Sequence, residues 1–224
     1  MSGREAILAK VRASLKAQPE DGPRLAAVER RMAKPPRGVI PARGQLSPEG
    51  RVELFASLAE KFATTVARVR DPADVPEAVA AYLRSRNLPS AIRLGADKRL
   101  AGMPWQGQRA MEVRTGPSDG NDEAGVSHAF AAVAETGTLV LVSGRDNPST
   151  VNFLPEHHIV VLNAGDVDGD LETALAKVRK SFGRGKMPRT VNLITGPSRS
   201  GDIEQKIILG AHGPRALHVI LVGA

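Results

Sequence analysis

Residues 158–163 read "HIVVLN" and residues 217–222 read "LHVILV". A strand with one face in water alternates apolar and polar side chains. These runs do not alternate, so each reads as a strand covered on both faces. Further short β-branched runs lie outward from them, at "TVARV" (65–69), "SAIRLG" (90–95), "AMEVR" (110–114) and "TVNLIT" (190–195). Helical stretches separate many of these strands. One starts at Ser47, with Ser47 as N-cap and Pro48 in the first turn. Others cover 74–86, about 167–182 and, more briefly, 202–209. Strands alternating with helices predict an α/β fold, a mostly parallel sheet with helices on both faces. "SHAFAAVAE" (127–135) and "TLVLVSG" (138–144) are two residues apart, which predicts a hairpin inserted in that plan.

The chain has 224 residues, enough for one sizeable core, and its charge is unevenly spread. Residues 1–45 carry ten Lys/Arg against four Asp/Glu, whereas residues 46–224 carry 21 against 20. Residues 1–45 therefore read as a basic arm, and residues 46–224 as the α/β domain. Ser2 with Glu5 is a capping box, and Ile7, Leu8, Val11 and Leu15 share one face of a helix over 3–17. A Pro-, Gly- and Arg-rich linker follows, with a helical turn or two near 24–33. A lone helix cannot bury its apolar face, so the arm is expected to dock on the body, on an acidic partner or on a second copy of the chain.

Several function classes are excluded or disfavoured. There is no cysteine, so this chain holds neither a disulfide nor a cysteine-ligated iron–sulfur cluster, and has no thiol nucleophile. Aromatic residues make up 3%, too few for the stacking platforms of single-stranded nucleic-acid binding, and the near-neutral body argues against a nucleic-acid partner. No apolar run approaches a membrane span, and the first residues lack a signal-peptide core, so a cytoplasmic location without membrane insertion is expected. No cofactor motif is present: the chain has neither a Walker loop nor G-x-G-x-x-G, and no His spacing for a metal. No cofactor and no metal are expected.

Three loops carry candidate chemistry. In "ITGPSRSGDIEQ" (194–205), Gly196 permits close approach, Ser198 and Ser200 offer hydroxyls and Arg199 a guanidinium. A helix starting beyond them would add free N–H groups for an anion. The same residues fit a plain helix start, with Asp202 as N-cap and Gln205 as its box partner. In "AETGT" (134–138), Glu135 ends an apolar strand, where burial can raise a carboxyl pKa and fit it for base or nucleophile work; a turn glutamate bonded to backbone N–H groups is the alternative. In "NPSTVNFLPEHHIVVL" (147–162), His157 and His158 are adjacent and must face opposite sides, so any cluster with His212 would arise only through the fold.

Taken together, "AETGTLVL", "LPEHHIVV", "ITGPSRSGDIEQKIILGAHGP" and "LHVILV" closely resemble the LUD-domain family, and the "REAILAKVRASL" start resembles its N-terminal helix. The resemblance implies a NagB/RpiA/CoA-transferase-like fold and a part in oxidising L-lactate to pyruvate beside iron–sulfur partner proteins. A cysteine-free chain would then be the cluster-free subunit, binding a small organic acid or a phosphorylated ligand. The expected pocket joins Glu135, Thr136, Gly137 and Thr138 to Gly196, Ser198, Arg199 and Ser200. The fold kinship also suggests an alternative: a free-standing enzyme on an acyl-CoA or phosphorylated small molecule, with Glu135 as nucleophile or base, because some CoA transferases use a glutamate in a similar turn.

Overall fold

The computed structural model describes residues 2–15, 21–183, 185–203 and 206–224, with backbone only for 201–208. The arm holds α1 (Gly3–Leu15) and α2 (Gly22–Ala33). The body begins α3 (Pro48–Lys61), β1 (Thr65–Val69), α4 (Val75–Ser85), β2 (Ala91–Leu94), α5 (Lys98–Ala101) and β3 (Glu112–Thr115). Then come β4 (Ala124–His128), β5 (Ala131–Val133), β6 (Thr138–Val142), α6 (Thr150–Phe153) and β7 (His157–Asn163). The chain closes with β8 (Val167–Asp168), α7 (Leu171–Phe182), β9 (Val191–Ile194), β10 (Arg199–Ile203), β11 (Lys206–Leu209) and β12 (Ala216–Val222).

The two apolar runs lie side by side in a six-stranded sheet of order β1-β12-β7-β4-β2-β3. Every neighbouring pair in it is parallel. Ile159 to Leu162 and Val219 to Leu221 are fully buried, because both faces of these strands are covered. Val75 and Val79 of α4, with Leu100 and Trp105, pack on one face against Ile159, Val161 and Ile220. Phe55 and Ala59 of α3 pack on the other, against Val160, Leu162, Val219 and Leu221.

The second face carries more than helices. A four-stranded sheet of order β8-β5-β6-β9 also lies there, and Leu139 and Leu141 of β6 join the core around α3. Ala174 and Val178 of α7 pack on Ala131, Val133 and Val140 of that sheet. The expected hairpin exists as β5 and β6, but 127–135 is not one strand. Ala129 N–H bonds to Val161 O in the main sheet, and the next residue, Phe130, donates to Val140 O in the second. The chain changes sheets at that peptide, and the alanines at 129, 131, 132 and 134 are narrow enough to pass between the layers.

The short helix expected over 202–209 is replaced by antiparallel strands β10 and β11, with Arg199 opposite Leu209 and Ser200 opposite Ile208. Ile203, Ile207 and Ile208 are β-branched, and a neighbouring strand outweighs the local Asp202 helix-start signal. Gln205, its supposed box partner, lies outside the described residues.

In the arm, Ser2 and Glu5 form the expected capping box, with Ser2 N–H donating to Glu5 Oε2 at 2.7 Å. Neither α1 nor α2 buries a residue. The segment after them lies along α7: Gly38 N–H donates to Glu172 Oε1 and Gln45 Nε2 to Asp170 Oδ2, each at 3.0 Å. Among the described residues no helix is long and apolar enough to cross a membrane.

Candidate functional site

The 134–138 turn and the 195–200 loop do meet, in the second sheet. β6 and β9 are antiparallel with Leu139 opposite Ile194, so the turn entering β6 and the loop leaving β9 emerge at one edge. There Thr138 Oγ1 lies 2.7 Å from Thr195 Oγ1 and 2.7 Å from Thr136 Oγ1, a chain of three hydroxyls. Both glycines have positive φ, 65° at Gly137 and 74° at Gly196, and both press on the end of α3. A Cβ on Gly137 would sit 2.8 Å from Ala59 N, and one on Gly196 would run into Phe62 O. Arg199 donates from Nη2 to that same Phe62 carbonyl at 3.0 Å, closing the C-terminus of α3. Ser200 belongs to the β10–β11 ladder. With a strand in place of the expected helix, the loop has no helix N-terminus to offer an anion.

Glu135 is turned elsewhere. It is 5% exposed, its Oε1 accepts the Leu171 N–H at 3.1 Å, and its own N–H donates to Gly169 O. Leu171 is the first residue of α7, so the carboxylate sits at the positive end of that helix. The other oxygen, Oε2, is buried without a hydrogen-bond partner among the described residues.

The hollow that adjoins the 195–198 segment has a volume of about 230 Å³ and is lined also by residues of α6 and of the 212–214 turn, but by none of the 134–138 turn. Leu193, Ile194, Leu217 and Phe153 make its apolar wall; Asn152, His158, Thr195, Ser198 and His212 bring polar groups to it. Of the expected pocket residues, Gly196 and Ser198 line it, and Glu135, Thr136, Gly137, Thr138, Arg199 and Ser200 do not. Ser198 is held by its N–H to Pro214 O at 2.9 Å, and its Oγ accepts the His212 N–H at 3.3 Å.

His157 and His158 face opposite sides, as strand alternation requires. His158 Nε2 lies 2.6 Å from Ser127 Oγ, and complete burial lowers its pKa to about 3. It is therefore a neutral hydrogen-bonding group in the cavity wall. On the other face His157 Nδ1 meets the Tyr82 hydroxyl at 2.9 Å, and His218 stacks on the Tyr82 ring at 4.2 Å. Burial, with Arg86 nearby, lowers His218 to about 4. The fold thus brings His158 and His212 to one cavity although they are far apart in the chain. The 147–162 stretch pointed to it, but no spacing rule could pair its histidine with the 211–214 turn.

The LUD domain family matches residues 52–222, which span most of the chain. The chain belongs to the LUD-domain family. This LUD-domain protein is 36% identical over 107 residues to "Lactate utilization protein C" of Geobacillus thermodenitrificans, covering 46% of this chain and 45% of that one. It is 34% identical over 99 residues to "Lactate utilization protein C" of Bacillus subtilis, covering 44% and 41%. The matched region thus spans about half or less of those curated relatives. Its fold is similar to that of a DUF162 family protein from Deinococcus radiodurans solved at 1.70 Å, with a TM-score of 0.61, 24% identity, and coverage of 80% of this chain and 99% of that one.

Proposed function

We propose that this LUD-domain protein is the cluster-free component of an L-lactate-utilisation system and that it binds a small anionic metabolite in the cavity beside Gly196 and Ser198. The family match over 52–222, joined to relatives named for lactate utilisation, carries this reading. Oxidising lactate to pyruvate removes two electrons, and a chain with no cysteine cannot hold them on a cysteine-ligated cluster. Iron–sulfur proteins are the partners this reading gives it, as the family resemblance implies. The cavity suits a ligand of a few heavy atoms: an apolar wall for a carbon skeleton, and the Asn152, Ser198 and His212 groups for oxygens.

Deleting the gene is expected to abolish growth on L-lactate while growth on pyruvate persists. The tagged protein is expected to bring down iron–sulfur proteins from lactate-grown cells. Replacing the cavity group Asn152 by Leu in the restored strain is expected to slow that growth without lowering protein abundance. Undiminished growth of the deletion strain on L-lactate would overturn the reading.

A further inference from the structure

In an open parallel sheet, ligands sit where the connections leaving two adjacent strands diverge, outside the carboxyl ends. Here β2 leads toward β3 at one edge of the sheet, whereas the chain leaving its neighbour β4 passes through β5 and β6 of the second sheet and re-enters the main sheet as β7, on the other side of β4. The crevice between the ends of β2 and β4 is therefore the switch point. Residues of opposite character converge on it. Asp97 is 6% exposed and grips Arg99 with both oxygens, Oδ1 to Nε at 3.0 Å and Oδ2 to Nη2 at 2.7 Å. Arg99 Nη1 donates to Ala129 O at 3.4 Å, and His128 Nδ1 lies 2.8 Å from the same oxygen. One carbonyl thus places the guanidinium and the imidazole side by side.

A carbonyl oxygen only accepts, so His128 Nδ1 carries the hydrogen and Nε2 is the acceptor nitrogen. Burial, reinforced by Arg99, keeps the ring neutral by lowering its pKa. Asp97 orients Arg99 but does not bury it: 42% of the side chain remains exposed. A fixed guanidinium beside an unprotonated imidazole nitrogen is complementary to a carboxylate that carries a hydroxyl on the next carbon. The 144–147 turn covers the crevice, tied by the reciprocal Gly144–Asn147 backbone bonds at 3.2 Å. It lies so close that a Cβ on Gly95 would run into Asp146 O. The hollow left beneath it, lined by Gly95, His128 and Asn147, is about 10 Å³, room for a single water.

The geometry points to a second ligand site at this switch point, taking a small 2-hydroxycarboxylate between Arg99 and His128 when the 144–147 turn swings aside. The carboxylate accepts from Arg99, and the hydroxyl donates to His128 Nε2. A 2-oxo acid has no such hydrogen and sets a lone pair against a lone pair, so the site distinguishes L-lactate from pyruvate. The inference rests on the lactate reading above for its ligand, and on its own residues for its place.

Calorimetric titration of the full chain with L-lactate and with pyruvate tests it, at neutral pH. L-Lactate is expected to bind saturably and more tightly than pyruvate. His128→Gln is expected to erase that preference, and Asp97→Asn with Arg99→Gln, which removes both charges together, to weaken both ligands about tenfold or more, as loss of a charge-assisted bond predicts. Should either variant fail to fold by circular dichroism, the wild-type His128 imidazole nitrogen signals, expected to shift on adding L-lactate, supply the same reading. No saturable binding to the wild-type chain overturns the inference, as does unchanged binding by the Asp97/Arg99 variant. Loss of L-lactate binding on Ser198→Ala alone, a residue that lines only the first cavity, overturns it too, while leaving the role in lactate utilisation standing on its growth phenotype.

Discussion

Two histidines are enclosed in strands that the core covers on both faces. His158 is 1% exposed and His218 is 6% exposed, and their pKa values fall to about 3 and about 4 from an ordinary 6.5. Below 6.5 the unfolded chain takes up protons that the folded one refuses, so both residues make stability fall with acidification, down to the folded pKa values. At pH 5 the loss is about 2 kcal/mol for each histidine. Urea unfolding at pH 7 and pH 5 is expected to show it, and His218→Gln to lessen the difference. Glu135 belongs to the same scale. Because its Oε1 accepts the first N–H of α7, Glu135→Ala is expected to cost about 1–2 kcal/mol, and Glu135→Gln less, since an amide oxygen still accepts that N–H. Equal urea midpoints for wild type and Glu135→Ala would remove this role.

Among the elements, the end of α3 is the joint where both loops lock. Alanine at 196 would meet the Phe62 carbonyl at a φ that disfavours any side chain, and is expected to lower unfolding free energy by about 2 kcal/mol or more. Gly137→Ala is expected to do the same against Leu58 and Ala59. Equilibrium denaturation measures both. The Gly196–Pro197 dipeptide and Gly137 in its two-residue connection placed these turns correctly, because a positive φ leaves a residue-level trace. The Asp202 signal misled for the complementary reason: an N-cap pattern is local, and β10 is decided by its pairing with β11. Likewise the alanine-rich run at 129–134 is apolar throughout, so nothing in it marks where one sheet ends and the next begins.

Over the whole molecule, stability is concentrated in the body. Since α1 buries nothing, removing residues 1–20 is expected to change unfolding free energy by no more than about 0.5 kcal/mol. Removing residues 1–45 also breaks the Gly38–Glu172 and Gln45–Asp170 bonds, and is expected to cost about 1 kcal/mol for each. Thermal melts of the two truncations separate these outcomes. The exposed Ile7, Val11 and Leu15 then remain a face on a helix that the body does not need.

By itself the amino-acid order determined which segments are interior strands, since an unbroken β-branched run is stable only with both faces covered. It also determined the Ser2 and Ser47 caps and the glycine turns, whose causes lie within a few residues, and the family resemblance. Only the tertiary structure decided that Glu135 turns to α7, that Arg199 closes α3, and that Ser198 and His158 share a cavity. It alone brought Arg99 against His128 at the divergence of β2 and β4. Those outcomes depend on strand order and on which layer each strand joins, and such contacts between distant residues leave no periodicity in the chain.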